Sequence, residues 1–350
     1  MSTQLNRASQ NAALATYDRG LVEKSDHRRR WKPSQEQIAL AVAMLMFIGF
    51  SGQLPGFLTL GNMVALTQGV AQLGILALGA MVVVIGRGLD LAQIASMASG
   101  AIVTIVAVRS GYVVPLALAA GLLVAVLIGL VNGYLVAFVE IPSIFATLST
   151  NILAYGMLRY FVQGGEAMAY VPAEATFFAW AGNLKLWGLP ISVVMFVAVA
   201  VLMHFVLSRT VFGLYVYSHG SNPETARMTG IPVRLVTIAE YIASSFIGYL
   251  AGILYISSLG TISADVMNSQ LIFNVILIVI LGGVSLTGGR GSVFSVVAGT
   301  LLIGTLLNGL TIMNVNIDVA NVARGLVLLA AIVLDNRLHP RNEETARQGE

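Results

Sequence analysis

What chemistry this sequence can do rests on a small set of polar side chains, and it is hydrogen bonding rather than bond making. Gln68 and Gln72 stand four residues apart inside a long apolar run, on one face of any helix formed there, while Asn132, Asn151, Asn274 and Asn308 lie inside other apolar runs. A polar group inside such a run is costly and asks for a reason. Neutral amides supply donors and acceptors without charge, which suits a polyhydroxyl solute crossing a wetted path. They suit hydrogen bonds between helices of a glycine-rich bundle equally well. Both uses stay open for each residue, and Gln68, Gln72, Asp90, Asn151 and Asn274 are the candidates for lining a path.

Covalent and redox chemistry have little to work with. The chain has no cysteine, which excludes a disulfide framework, a thiolate metal site and a cysteine nucleophile together. His204 and His219 are far apart in sequence, and neither sits in a metal-ligand arrangement. No Gly-x-Ser-x-Gly elbow and no His-Glu-x-x-His stretch is present. The glycine-rich segment 282–292 has Arg290-Gly291 where a phosphate-binding loop needs Lys-Ser or Lys-Thr, so it reads as a tight turn or a site of close helix packing. With no enzyme activity, cofactor, metal or nucleotide site expected in this chain, any energy input must come from another polypeptide.

The elements that position these residues are set by composition. Of 350 residues 57% are hydrophobic and 10% charged, and the mean hydropathy is +0.84. Soluble domains carry about 25% charged residues, so lipid must be the solvent for most of this chain. A helix crosses the hydrocarbon core in about 20 residues. Stretches lacking Asp, Glu, Lys and Arg predict an all-α polytopic bundle of about ten spans, near 36–53, 60–86, 89–108, 113–138, 142–163, 189–208, 236–257, 270–286, 292–313 and 317–335. The last is interrupted by Arg324, which suits snorkelling or pairing with Asp318. Whether 86–93 is re-entrant stays open.

The basic residues orient the bundle. With the N-terminus in the cytoplasm, 15 of the 19 Lys and Arg fall on that side, among them Arg28, Arg29, Arg30, Lys32, Arg87, Arg209, Arg227, Arg234 and Arg290. Arg109, Arg159, Lys185 and Arg324 lie toward the other side. Both termini are thus expected inside, with a tail at 1–35, a transmembrane domain at 36–335 and a tail at 336–350. The N-terminus does not read as a cleavable signal peptide. The net charge of +3 is segregated by membrane side and is no nucleic-acid signature; lipid is the expected surround. An external loop, 164–188, carries Trp180 and Trp187, which suit a segment at the interface or a docking surface. A faint echo, Gly129-x-x-Asn132-Gly133 against Gly304-x-x-x-Asn308-Gly309, would be an inverted repeat.

The cytoplasmic loop 209–235 is the most informative stretch. Asn222 is a good helix N-cap, Pro223 suits the first helical position and Glu224 the positive helix end, while Gly230 and Pro232 stop the helix. A two-turn helix near 223–229 follows, too short to stand without a support. Here the chain resembles ABC import permeases of the monosaccharide group (the ribose, xylose and galactose permease type). Gly220, Asn222, Ala226, Gly230 and Ile231 fill the places of that family's coupling segment, with Thr225 where a second alanine is common. Gly282-Gly283-Val284-Ser285-Leu286-Thr287-Gly288-Gly289-Arg290-Gly291, Asn308-Gly309, Asp335-Asn336-Arg337, Gly129-Leu-Val-Asn132-Gly133 and Ala146-Thr147-Leu148 fall in the same order as in that family. The family's Gly-Gly-Ile-Asp-Leu-Ser-Val-Gly is here Gly86-Arg87-Gly88-Leu89-Asp90-Leu91-Ala92-Gln93, which keeps Asp90 but neither the serine nor the final glycine. Tyr155-Gly156 stands where Arg-Gly is usual, with Arg159 one turn later.

The resemblance implies a permease subunit that works with ABC ATPase subunits, a periplasmic solute-binding protein and a second permease copy or homologue, in a bacterial inner membrane. It assigns Asn222, Glu224, Ala226, Arg227 and Gly230 to ATPase coupling, and a sugar or polyol to the path. An ion-coupled secondary transporter of a small polar solute is the alternative; the scarcity of acids in mid-span weighs against it.

Overall fold

The computed structural model describes residues 34–316 except 163 and 165, and beyond them 318–322, 325, 326, 329 and 333. The N-terminal tail, the bulk of the expected span at 317–335 with Arg324, the Asp335-Asn336-Arg337 ending and the C-terminal tail lie outside the described residues.

Apolar runs of this length form helices because a helix satisfies its own backbone where no water is available. In chain order they are α1 (Gln35–Gln53), α2 (Leu60–Ile85), α3 (Gln93–Arg109), α4 (Val114–Ala137), α5 (Ser143–Met157), α6 (Thr176–Asn183), α7 (Ile191–Arg209), α8 (Val211–Ser221), α9 (Pro223–Met228), α10 (Val233–Leu259), α11 (Leu271–Gly282) and α12 (Val293–Ile312). Among the described residues six helices, α1, α2, α4, α7, α10 and α12, are long and apolar enough to cross a membrane. Two further apolar helices, α3 and α11, are shorter. The protein is thus an all-helical, multi-pass membrane protein.

Helix α2 is the axis of the bundle, largely buried, whereas α1, α4 and α7 leave most of their surface outward. Ile75, Leu76, Met81 and Ile85 of α2 pack with Ile247 of α10, Val275 and Ile278 of α11, and Ile303 of α12. A second cluster joins Ala95, Ile102 and Ile105 of α3 to Phe178 of α6, Ile256 of α10 and Met267. Helices α3, α4 and α10 approach closely through small residues: a Cβ at Gly121 would meet the Gly100 carbonyl, and one at Gly129 would lie 2.7 Å from the Tyr241 carbonyl.

Four departures from the sequence reading have local causes. The third span begins at Gln93 rather than 89, because residues 86–92 are not helical. The eighth stops at Gly282, since Gly283 takes φ +106°. A helix, α8, occupies 211–221, capped by the Thr210 hydroxyl, which accepts the Gly213 N–H at 3.3 Å. The loop 164–188 holds α6 and a hairpin of β2 (Lys185–Leu186) and β3 (Leu189–Pro190), turned by Trp187 and Gly188, both at positive φ. In addition β1 (Ala169–Tyr170) pairs antiparallel with β4 (Thr261–Ile262) at the same end of the bundle.

Candidate functional site

Helix α9 follows from its capping residues. The Asn222 side chain accepts the N–H groups of Glu224 and Thr225, each at 3.1 Å. Gly230 adopts φ +83°, and the Ile231 N–H returns to the Ala226 carbonyl at 3.0 Å, closing the helix. Ala226 is buried and seats the helix on the bundle, while Glu224, Thr225, Arg227 and Met228 point outward. Met228, 90% exposed, is a large apolar side chain set among charged neighbours. It was not singled out from the sequence. Its signal was position, two residues beyond the buried Ala226 on a helix of 3.6 residues per turn, hence the opposite face.

Two breaks in the bundle meet α8 and α9. The first, 86–92, follows α2. Its Leu89 and Leu91 N–H groups donate to Ser143 Oγ at 3.2 Å and Thr147 Oγ1 at 3.1 Å, hydroxyls one turn apart on α5. Non-helical backbone inside a bundle needs such partners. The second break, 283–292, donates its Gly289 N–H to the Ile85 carbonyl at 2.8 Å, and its Gly291 carbonyl accepts the Tyr217 hydroxyl at 2.8 Å. Gly220 of α8 lies between the two breaks, so that a Cβ there would collide with the Ile85 carbonyl and come 2.7 Å from the Gly289 nitrogen. Arg87 ties the three together: its Nε donates to the Thr287 carbonyl at 2.8 Å and its Nη2 to the Ser221 carbonyl at 3.1 Å, immediately before α9.

Beside this platform, Glu240 and Tyr241 of α10 and His219 of α8 are buried against Gly86 and Gly88. Thr237 Oγ1 lies 3.4 Å from His219 Nε2. Burial, then the charges of Arg87 and Arg227, push the His219 pKa down to about 4, so the ring is neutral at neutral pH. At the opposite end Arg109 pairs with Glu166 at 2.9 Å, half exposed and of little energetic weight. There too the Tyr155 hydroxyl donates to Asp265 at 2.9 Å and holds that carboxyl below its ordinary range.

The five path candidates do not converge by hydrogen bonding: among the described residues none bonds to another. Gln68 and Gln72 are half-buried on α2. Asp90 is buried in the first break, where its carboxylate accepts the Ser244 hydroxyl at 2.7 Å and the Ala92 N–H at 3.0 Å. Asn151 of α5 and Asn274 of α11 are buried, and the Oδ1 of each has no partner among the described residues. The two members of the Asn-Gly echo differ. Asn308 exchanges reciprocal bonds with Asn62 at 2.9 and 3.1 Å, while both amide atoms of the fully buried Asn132 are unmatched.

A polar seam between α3 and α10 was not picked out from the sequence. Ser96 and Ser245 hydroxyls meet across it at 2.9 Å, while at its edges Gln93 Nε2 of α3 donates to the Leu76 carbonyl of α2 at 2.8 Å and the Tyr249 hydroxyl of α10 donates to the Leu118 carbonyl of α4 at 2.8 Å. Its signal was the pair Gln93 and Ser96 three residues apart on α3, which face Gly248 and Ser245 on α10.

Residues 62–332 match the protein family described as branched-chain amino acid transport system / permease component. The chain is 34% identical over 299 residues to the L-arabinose transport system permease protein of Escherichia coli (strain K12), covering 85% of this chain and 89% of that protein. It is 28% identical over 312 residues to the ribose import permease protein of the same strain, covering 88% and 95%. To the fructose import permease protein of Rhizobium meliloti it is 30% identical over 330 residues, covering 93% and 91%. No solved structure matches the chain.

Proposed function

The chain belongs to this family of transport-system permease components, and we propose that it forms the membrane path of an ATP-driven ABC importer for a sugar or related polyol. The observation that carries the reading is α9. It is a six-residue helix seated by Ala226, with Glu224, Arg227 and Met228 outward, and it is tethered through Ser221 and Arg87 to both bundle breaks. An ATPase subunit that grips α9 would pull on the ends of α2 and α11 at once. Asn222 and Gly230 would hold the helix ends during that stroke.

The substrate class is supported by the names of the three relatives and by the side chains available. A zwitterionic amino acid needs charged partners at two points. Gln68, Gln72, Asn151 and Asn274 are neutral, and the unmatched Oδ1 atoms of the two asparagines are acceptors suited to hydroxyl donors. Asp90 is committed to Ser244 and Ala92 and would act by holding the break beside the path.

Ten spans with both termini cytoplasmic remain our reading of the topology: 317–335 is the tenth, 1–35 and 336–350 are cytoplasmic tails, 209–235 is the cytoplasmic coupling loop and 164–188 the external loop. Arg87, Arg227 and Arg234 gather at the α9 end, which supports placing that end in the cytoplasm. A periplasmic binding protein would then deliver solute to the end bearing α6 and β1–β4. A second permease copy or homologue would complete the path, in a bacterial inner membrane.

The test is co-purification of the tagged chain from native membranes and from a Met228→Asp variant. A stoichiometric ATPase with the native chain, lost from the variant while its thermal unfolding is unchanged, is the expected result. Full retention of the ATPase by the variant would overturn the assignment of α9.

A further inference from the structure

Where α4 gives way to α5 and α10 begins, beside α9, the bundle holds a cavity of about 220 Å³. Each water takes ~30 Å³ of liquid, so this is room for roughly seven waters or one small solute.

The walls are layered. Deep in the cavity Glu240, Tyr241 and His219 are buried; Glu240 Oε1 and His219 Nδ1 have no hydrogen-bond partner among the described residues, and the Tyr241 hydroxyl lies beside the Ser143 side chain. The exposed lining is cationic: Arg87, Arg227 and Arg234 against Glu140 alone, which engages Arg234 at 3.2 Å. Arg234 is further braced 5.3 Å above the Phe138 ring.

Buried polar atoms are rarely left unmatched, and two in one wall, with the Tyr241 hydroxyl beside them, suit an occupant that hydrogen-bonds to them. A carboxyl group, a phenol and a neutral imidazole together offer acceptors and donors for hydroxyl groups. Guanidinium forks at the rim match the planar geometry of phosphate oxygens. We propose that this cavity binds a phosphorylated polyol, its hydroxyls on Glu240, Tyr241 and His219 and its phosphate on Arg227 and Arg234.

Two sources carry that chemistry: a soluble sugar or glycerol phosphate, and the glycerol-phosphate headgroup of an anionic lipid. Either would bridge α9, through Arg227, to α10, through Arg234 and Glu240, and so resist movement of the short helix. A soluble phosphate ester would restrain the permease when its concentration rises, and a lipid would set the resting position of α9. The site is distinct from the path candidates, and its test reads binding rather than transport. Its failure therefore leaves the transport reading untouched.

The experiment uses the full chain in nanodiscs. Calorimetric titration in phosphatidylcholine discs measures binding of glucose 6-phosphate and sn-glycerol 3-phosphate, with glucose and glycerol as controls. Native mass spectrometry from mixed discs measures retention of phosphatidylglycerol over phosphatidylcholine. The expected result is saturable binding of a phosphate ester, or selective lipid retention, weakened about tenfold or more by Arg234→Gln. Tyr241→Phe removes a hydroxyl from the cavity wall and keeps the ring, and is expected to weaken binding as well. Ester binding alone identifies a soluble ligand and retention alone identifies the headgroup. No binding in either arm, or binding that both variants leave unchanged, overturns the proposal.

Discussion

The seam between α3 and α10 and the platform around α9 are both polar, and they differ in what their polar atoms reach, although the seam too keeps two atoms unmatched among the described residues, Gln93 Oε1 and Ser99 Oγ. In the seam the Ser96 and Ser245 hydroxyls answer each other, and the Gln93 amide nitrogen and Tyr249 hydroxyl reach carbonyls inside the chain. At the α9 end, Glu240 Oε1 and His219 Nδ1 are buried and unmatched among the described residues, and so are Asn151 Oδ1 and Asn274 Oδ1 elsewhere in the bundle. Polar residues whose partners lie within the chain hold helices together. Those left unmatched are the places where a ligand or solute can be tested for. The distinction is invisible in residue type, since Ser96 is matched and Ser99 is not, Asn308 is matched and Asn151 is not, and within Gln93 the nitrogen is matched and the oxygen is not.

Substitutions can break or sharpen this contrast. The largest effect is expected at the platform itself: Gly220→Val places a side chain against the Ile85 carbonyl and the Gly289 nitrogen. A destabilisation of about 3 kcal/mol or more is expected, read as a fall in detergent-resistant folded protein. Next, Asn151→Leu removes an amide with an unmatched oxygen. Solute uptake should fall about tenfold, the worth of one hydrogen bond, while thermal stability is unchanged or raised. If stability falls instead, Asn151 belongs with the seam. Ser245→Ala should do the reverse, costing about 0.6 kcal/mol of stability with uptake intact, because only the bond to Ser96 is lost.

The smallest effect concerns pH. His219 has its pKa pushed down to about 4 in the fold against an ordinary 6.5, so the unfolded chain binds more protons between those values. Stability from this group is present above pH 6.5 and is lost as pH falls toward 4. Thermal unfolding followed from pH 7 to pH 5 should show a decline that His219→Gln reduces; Glu240, Tyr241, Glu140 and the three arginines that share the cavity are the same in both proteins, so the difference between the two slopes reports His219.

Much of the fold was legible because lipid imposes simple rules on a sequence. Runs free of charge such as those at 60–86 and 292–313 have no alternative to a helix, and α2 and α12 begin and end within a few residues of them. Helix α9 was legible for a different reason. Asn222-Pro223-Glu224 and Gly230-x-Pro232 are local signals that need no tertiary support. The break at 86–92 was not legible, since Gly86-Arg87-Gly88 allows a turn at a helix end as readily as a buried break. Only the placement of Ser143 and Thr147, more than fifty residues later in the chain, satisfies that backbone. Helix α8 was missed because Gly213 and Gly220, poor helix formers, are there for close packing rather than for flexibility.

The sequence alone thus determined the membrane as solvent, the family, and the short capped helix, because each follows from composition or from residues a few positions apart. Tertiary structure decided which polar groups are used up. It brought Arg87, Ser221 and Thr287 into one clamp and left Glu240 and Tyr241 facing a cavity. Hydrogen bonding is a relation between two partners, and partners 134 and 200 residues apart are chosen by packing, not by spacing.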